Sequence, residues 1–187
     1  KWSVNGKWAV MYDPIAQVWN KFDGATGKVV NISDAIGYPM FVESYDKPAP
    51  APAYGIAGWT ADGNNVFLYD AYDWWKIDLT GERQPECLTK GYGRKHGKSI
   101  RKMTSNIDKD VFQKDEKVIV SLWDKDTMDE GVYQLDMKGR LRKLMEGNYV
   151  YTIHRFSDNH EYCVWNRQNV SEFRDLWWSK SDFSNPV

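Results

Sequence analysis

The sequence predicts an all-β fold built from several sheets of short strands, and two observations support this. Apolar residues occur in runs of four to six, separated by Gly, Asp, Asn and Pro, and helical periodicity is almost absent. Aromatic residues make up 15% of the chain, with 10 Trp, 11 Tyr and 7 Phe. Short aromatic-rich runs bounded by turn residues are typical of β-strands.

One phrase recurs along the chain. Residues 59–81, "WTADGNNVFLYDAYDWWKIDLTG", have a counterpart in residues 1–27, "KWSVNGKWAVMYDPIAQVWNKFDGATG". Two weaker copies follow, so that repeats start near residues 2, 59, 112 and 156. The pairs that match at an offset of 57 residues are Trp2-Ser3 with Trp59-Thr60, Asn5-Gly6 with Asp62-Gly63, and Tyr12-Asp13 with Tyr69-Asp70.

Each repeat predicts a four-stranded meander. Strand A ends at Trp/Phe-Ser/Thr, and an Asp/Asn-Gly turn supplies the positive φ that a tight hairpin needs. Strand B is the apolar run of residues 66–69, strand C contains Trp and closes on Asp, and strand D ends at Leu-Thr. One such sheet cannot bury both of its faces alone, so neighbouring sheets are expected to stack. Residues 1–187 therefore predict a partial β-propeller of about four blades. A β-sandwich or a carbohydrate-binding jelly roll would not repeat the same phrase at equivalent positions.

Two segments lengthen the spacing between repeats. The first is the proline-rich insert at residues 46–55, and the second is the loop around residues 91–109. Within the second, "GYGRKHGKSIR" (residues 91–101) predicts a structured loop between blades. An anion-binding loop is the alternative, because glycines beside basic residues favour phosphate contacts.

Charge and hydropathy exclude several classes of partner. The formal net charge is −1 and the pI is about 6.4, so no nucleic acid and no anionic membrane surface is expected as a partner. No apolar stretch reaches the ~18–20 residues that a membrane-spanning helix needs. The chain begins at Lys1, and we expect a segment of a longer protein whose targeting information lies elsewhere.

The two cysteines do not form a metal-binding pattern. Cys87 and Cys163 lie far apart in the sequence and lack the ligand spacing of a zinc site. Each lies in an apolar or aromatic run, which predicts a buried thiol. Whether the two form a disulfide stays open at this point.

The recurring carboxylates and tryptophans have two interpretations each. The carboxylates could act in pairs in a glycosidase, but their positions at strand ends favour turn-capping roles. The tryptophans could form a sugar-stacking platform, but their equivalent positions in strand C favour packing between blades. Because adjacent residues of a strand point to opposite faces, each Trp-Trp pair is expected to touch two neighbouring sheets. The carboxylates are Asp13, Asp70, Asp73, Asp78, Asp124 and Asp136, and the tryptophans are Trp19, Trp74, Trp75, Trp177 and Trp178.

The repeated phrase resembles the blades of the propeller domain in the prolyl oligopeptidase family of serine peptidases. TolB-like propellers share this repeat style. Residues 54–81, 88–101 and 131–151 are most similar to the dipeptidyl-peptidase-like members found in Bacteroidetes. The closing "DLWWSKSDFSNPV" is similar to the last strands before the hydrolase domain of those enzymes.

This resemblance implies a non-catalytic role for the chain. In that family the propeller caps a C-terminal α/β-hydrolase domain and restricts the entry of large substrates. The hydrolase carries the Ser-His-Asp triad, with its serine in a G-x-S-x-G motif, and this motif is absent here. None of His96, His154 and His160 neighbours a nucleophile in such a motif. Asp129-Glu130 is a mixed acidic pair in a predicted turn, not the Glu-Glu pair with which some dipeptidyl peptidases hold a substrate amino terminus.

The resulting prediction is a scaffold and substrate-access gate, with no catalytic, cofactor-binding or metal-binding residue in this chain. Its expected partners are the other blades and the hydrolase domain of a longer chain, and the peptide substrate. The expected location is periplasmic or secreted. Open sheet edges also predict self-association. A stand-alone module that binds protein or glycan is the alternative.

Overall fold

The chain forms four β-sheets that follow one another in sequence. The structure, a computed structural model, describes residues 1–105 and 109–187. We name the sheets I (β1–β3), II (β4–β7 with β9), III (β8 with β10–β12) and IV (β13–β15). The strands are β1 (Trp8–Asp13), β2 (Val18–Asp23), β3 (Val29–Asn31), β4 (Ile56–Thr60), β5 (Asn65–Tyr69), β6 (Trp74–Asp78), β7 (Glu86–Cys87), β8 (Lys98–Lys102), β9 (Val111–Phe112), β10 (Lys117–Asp124), β11 (Glu130–Asp136), β12 (Leu141–Gly147), β13 (Val150–Phe156), β14 (Tyr162–Gln168) and β15 (Asp175–Lys180).

Within residues 1–105 and 109–187, helix is confined to two short turns. A 3-10 helix spans Asp34–Ile36, and α1 spans Tyr92–Lys95. In the residues that the structure describes, no helix combines the length and the hydropathy needed to cross a bilayer.

Three of the four sheets differ in strand number from the prediction that each repeat forms a four-stranded meander. Sheet III has four antiparallel strands, whereas sheets I and IV have three each. Trp2 forms only an isolated bridge with Ala9 at the edge of sheet I, where a first strand would lie. Sheet II has five strands, because β9 pairs in parallel with β4.

Three hydrophobic clusters alternate with the four sheets, so that the sheets stack face to face in chain order. The first cluster joins sheets I and II, the second joins II and III, and the third joins III and IV. Consecutive sheets packed in this way are the blades of a propeller, so the prediction of an all-β, partial β-propeller is confirmed. Representative members are Val10, Trp19, Val66 and Leu68 in the first cluster, Phe67, Ile100, Val120 and Leu122 in the second, and Val132, Ile153, Phe156 and Trp165 in the third.

Sheet II shows how one strand supplies two of these clusters. In β5, Val66 and Leu68 face sheet I, whereas Phe67 and Tyr69 face sheet III. The alternation follows from the two-residue period of a strand. Each of the four residues is therefore buried although they lie next to one another in the sequence.

Equivalent turns of the first two repeats touch each other. Gly6 and Gly63 both have positive φ, of 69° and 70°, as the Asp/Asn-Gly turns predict. The side-chain amide of Asn5 donates to the carbonyl of Asp62 at 2.9 Å. A Cβ on Gly63 would lie 2.7 Å from Cγ of Asn5, so glycine is required here for conformation and for space.

The segment between the second and third repeats is more ordered than a loop. Its residues 91–101 contain α1 and most of β8, which forms the edge strand of sheet III. Phe112 lies in β9 and pairs with sheet II. Residues 106–108 of the loop predicted around residues 91–109 lie outside the described part of the chain.

We expect Gly139→Ala to destabilise the protein more than Gly97→Ala does. Both glycines have positive φ, of 81° and 67°, so both substitutions carry the backbone strain of the left-handed region. Of the two, only Gly139 would bring the new Cβ into collision with backbone, at the carbonyl oxygen of Leu88, whereas Gly97 has open space. Overpacking adds about 1–3 kcal/mol at Gly139. Urea unfolding of both variants measures this difference, and equal midpoints would contradict the close approach.

Candidate functional site

Several connections meet at one end of sheets II and III, which we call the loop end. Alternate connections of an antiparallel meander lie at the same end of the sheet. Contacts between side chains show that this end gathers the segments β3–β4, β5–β6, β7–β8 and β10–β11. Loops held by a rigid scaffold are frequent positions for binding residues.

Asp70 is the central acidic residue of the loop end. It is fully buried, at 0% exposure. Oδ1 accepts hydrogen bonds from the backbone N–H groups of Tyr72 and Asp73, at 2.7 and 2.6 Å. Oδ2 accepts from the indole of Trp75 at 3.1 Å and from the guanidinium of Arg94 at 3.0 Å. With four donors around it, this carboxylate organises the β5–β6 turn and anchors Arg94.

Asp73 is the second buried carboxylate of the same turn, and it binds the β7–β8 connection. Oδ1 accepts from the hydroxyl of Thr89 at 2.6 Å and from the backbone N–H of Gly93 at 2.9 Å. Oδ2 accepts from the backbone N–H of Arg94 at 3.0 Å. The backbone N–H groups of Gly93 and Arg94 in this loop therefore bind a carboxylate of the chain itself. The sequence offered an anion-binding loop at this place as the alternative.

Tyrosine rings and cations alternate on the surface of the loop end. The Arg94 guanidinium lies 3.9 Å from the ring centroid of Tyr38 and 5.0 Å from that of Tyr72. Lys125, from the β10–β11 connection, places Nζ 4.0 Å from the centroid of Tyr72. Cations at these distances are attracted to an aromatic ring.

Arg101 holds the backbone of the same turn. One guanidinium nitrogen, Nη2, donates to the carbonyl of Asp70 at 2.6 Å and to that of Ala71 at 3.3 Å. The guanidinium lies 5.4 Å from the ring centroid of Tyr54 and 4.7 Å from that of Tyr69. Burial lowers the pKa of Arg101, because a low-dielectric environment disfavours the charged form.

The other recurring carboxylates cap turns, as the sequence predicts. Asp13, Asp78, Asp124 and Asp136 each accept hydrogen bonds from backbone N–H groups two to five residues further on, at 2.9–3.1 Å. Asx turns of this kind stabilise the hairpin connections. Each of these four carboxylates is therefore engaged by its own turn, which is the structural role that the sequence favours over a glycosidase pair.

We expect the protein to lose stability on acidification below about pH 5, partly through turn-capping carboxylates. Hydrogen bonds from backbone N–H groups lower the pKa of Asp23 and of Asp124. Their contribution is present above the unfolded-state pKa of about 3.9 and is lost as the pH falls through the lower folded-state pKa. In urea unfolding from pH 7 to 2.5, the double variant Asp23→Asn/Asp124→Asn should show a shallower decline. An unchanged decline would contradict this role.

The tryptophans mainly pack between sheets. Trp74 lies in the cluster between sheets II and III, and Trp75 lies in the cluster between sheets I and II. This confirms the prediction for the Trp74-Trp75 pair, whereas among the described residues it is wrong for the Trp177-Trp178 pair, of which only Trp177 packs against a neighbouring sheet. Trp177 packs towards sheet III, but Trp178 is 50% exposed on the outer face of sheet IV, beside Tyr162. Since Trp178 alone of the five predicted residues is exposed, they do not form a sugar-stacking platform.

The histidines and cysteines lie apart from one another. His96 stacks on Tyr92 at 4.4 Å between ring centroids, and His154 pairs with the amide of Asn166. Cys87 lies in sheet II and Cys163 in sheet IV, and both are free thiols. Burial raises the pKa of each thiol, as expected for unreactive cysteines.

Glu130 has a different position from the turn that the sequence predicts. It is the first residue of β11, and its carboxylate accepts a hydrogen bond from the backbone N–H of Tyr151 at 2.8 Å. Glu130 thus joins sheet III to the first strand of sheet IV. Burial raises the pKa of this carboxyl group. In the part of the chain that the structure describes, no group of three or more Cys, His, Asp or Glu is placed to hold a metal ion.

The stacked sheets and the loop end define a partial β-propeller with a surface rich in tyrosine and basic residues. No protein-family model matches the chain, and no curated protein matches it. Among solved structures, a protein assigned as TolB from Agrobacterium tumefaciens is similar, with a TM-score of 0.41 and 11% sequence identity. The alignment covers 100% of this chain and 78% of the other. The fold assignment rests on the four stacked sheets described above.

Proposed function

We propose that this chain is a non-catalytic β-propeller scaffold whose loop end binds other molecules. The observation that carries this proposal is that the recurring carboxylates all accept hydrogen bonds from groups of the protein itself. Asp70 and Asp73 are buried and saturated with hydrogen bonds, and the others cap turns. A general acid or base has to reach the substrate, whereas these carboxylates accept hydrogen bonds from backbone and side-chain donors of the protein itself.

We further propose that the scaffold belongs to a secreted or periplasmic serine peptidase of the prolyl oligopeptidase family. Support comes from the repeated phrase of residues 2–27 and 59–81 and its resemblance to the blades of that family. In this role the propeller would restrict access of peptides to a separate hydrolase domain. The other blades and that domain would then be its partners.

Two measurements test these proposals separately. The isolated chain should not hydrolyse a panel of proline-containing fluorogenic peptides above the buffer rate, and hydrolysis would overturn the scaffold role. The natural protein, isolated from its source with an antibody against this chain, should react covalently with a fluorophosphonate probe for active-site serines. A protein that contains this chain but does not react with the probe would overturn the peptidase proposal and leave the scaffold role intact.

A further inference from the structure

Three cationic side chains converge on the turn of residues 70–73: Arg94 from the β7–β8 connection, Arg101 from β8 and Lys125 from the β10–β11 connection. Arg94 binds the carboxylate of Asp70, and Arg101 binds the carbonyls of Asp70 and Ala71. Lys125 lies on the ring of Tyr72. Because all three contact the same short turn, their charges lie close together.

Among the described residues, the carboxylates of this turn form an ion pair with only one of the three cations, Arg94. Asp70 directs Oδ2 to Arg94 and Trp75, and the hydrogen bonds of Asp73 go to Thr89 and to backbone N–H groups. Within residues 1–105 and 109–187, neither Arg101 nor Lys125 has a carboxylate at ion-pair distance. The nearby carboxylates act on them only beyond ion-pair distance: Asp70 and Asp73 on Arg101, and the exposed Glu43 with Asp70 on Lys125.

We propose that Arg101 and Lys125, together with the rings of Tyr54 and Tyr72, bind the oxyanion of a ligand, either a carboxylate or a phosphate. This inference deepens the binding role proposed for the loop end and does not depend on the peptidase assignment. The oxyanion would give the two cations a direct ion-pair partner, beside the turn whose backbone Arg101 contacts and whose Tyr72 ring Lys125 contacts.

The environment of Lys125 favours such a ligand. Burial lowers the pKa of Lys125, and repulsion from Arg101 and Arg94 lowers it further, against a smaller opposing attraction from Glu43 and Asp70. A nearby anion has the opposite effect, because it stabilises the charged ammonium. Arg101 is already held by three backbone carbonyl contacts, so little conformational freedom would be lost when the ligand binds.

The site also explains why two tyrosines are partly exposed here. Tyr54 and Tyr72 present their rings to Arg101 and to Lys125. Rings at these positions restrict water around the cations, which strengthens attraction to an anion. Guanidinium and ammonium groups donate hydrogen bonds to both carboxylate and phosphate oxygens. The proposed ligand is therefore defined by its negatively charged oxygen atoms, which both groups have.

The test is a titration of the protein with sodium phosphate and, separately, with sodium acetate, at constant ionic strength set by sodium chloride. NMR signals of the lysine side chains report binding and the pKa of Lys125. We expect saturable binding of at least one of the two anions, with a Kd of roughly 1–10 mM, and a rise in the pKa of Lys125. A peptide with a free C-terminus, compared with its amidated form, distinguishes a peptide carboxylate from a small anion.

Matched variants separate this site from general charge effects. Lys125→Met keeps the length of the side chain but removes its charge, and should weaken binding by about tenfold. Lys95→Met removes an exposed lysine of the neighbouring β7–β8 connection and should leave binding unchanged. Non-saturable shifts, or equal weakening in both variants, would overturn the inference. The fluorophosphonate reaction does not use this site, so failure here leaves the peptidase proposal to its own test.

Discussion

Replacing Asp70 with Asn is expected to lower the free energy of unfolding by about 2–4 kcal/mol. The asparagine would retain one acceptor oxygen for the backbone of the turn, but its NH₂ group would face the donors on Trp75 and Arg94. Both of these donors would then lose their acceptor inside the protein. The Arg94 side chain is 31% exposed, so water compensates part of its loss and the effect stays below that of a fully buried ion pair.

Asp13→Asn is the matched control for this substitution. Asp13 occupies the equivalent position in the first repeat, but it caps only its own turn, through the backbone N–H groups of Ile15 and Ala16. Asparagine can accept both hydrogen bonds, so the expected change is below about 0.5 kcal/mol. Urea unfolding monitored by tryptophan fluorescence measures both variants. Similar losses for Asp13→Asn and Asp70→Asn would show that the buried contacts of Asp70 contribute little.

Trp74→Ala should have a still larger effect, about 3–5 kcal/mol, because it leaves a large cavity between sheets II and III. Trp74 is fully buried, packs on Phe67, Tyr69 and Phe112, and donates its indole N–H to the carbonyl of Ile100 at 3.1 Å. The substitution removes this packing and also leaves the Ile100 carbonyl without that donor.

Trp178→Ala provides the comparison, since Trp178 belongs to the Trp-Trp pair of sheet IV but is 50% exposed. Its removal should cost less than about 1 kcal/mol. Calorimetry of the two variants measures the difference. A loss at Trp178 as large as that at Trp74 would mean that the outer face of sheet IV is covered in solution.

The repeated phrase predicts the fold because its residues act locally. The Asp/Asn-Gly turns need positive φ, and the alternating run of residues 66–69 needs two buried faces, whatever else the chain contains. The parallel pairing of β9 with β4 was not predicted. It depends on contact between Trp59 and Val111, which lie 52 residues apart in the sequence, and no local pattern marks it.

Only some of the residues of the loop end could be predicted from the sequence. Residues 91–101 stood out through their glycines and basic residues, and Asp70 and Asp73 stood out as recurring carboxylates. The hydrogen bonds between these carboxylates and residues 91–101 depend on the packing of sheet II against sheet III. The approach of Lys125 to Tyr72 depends on the same packing. A single lysine in a hairpin turn gives no signal of such a contact. The polar contacts of Asp70, Asp73 and Lys125 therefore have to be read from the structure, because they form only when the sheets pack together.

The dual membership of β5 in two hydrophobic clusters has a consequence for local unfolding. Sheets II and III are each supported on both faces, whereas sheets I and IV are each supported on one. In a linear array with nearest-neighbour coupling, end units open more readily than inner ones. In a polypeptide that consists of residues 1–187 alone, amide hydrogen exchange should therefore be slowest in β5 and β10 and faster in β1 and β14, with opening that proceeds from sheets I and IV towards the interface that carries the loop end.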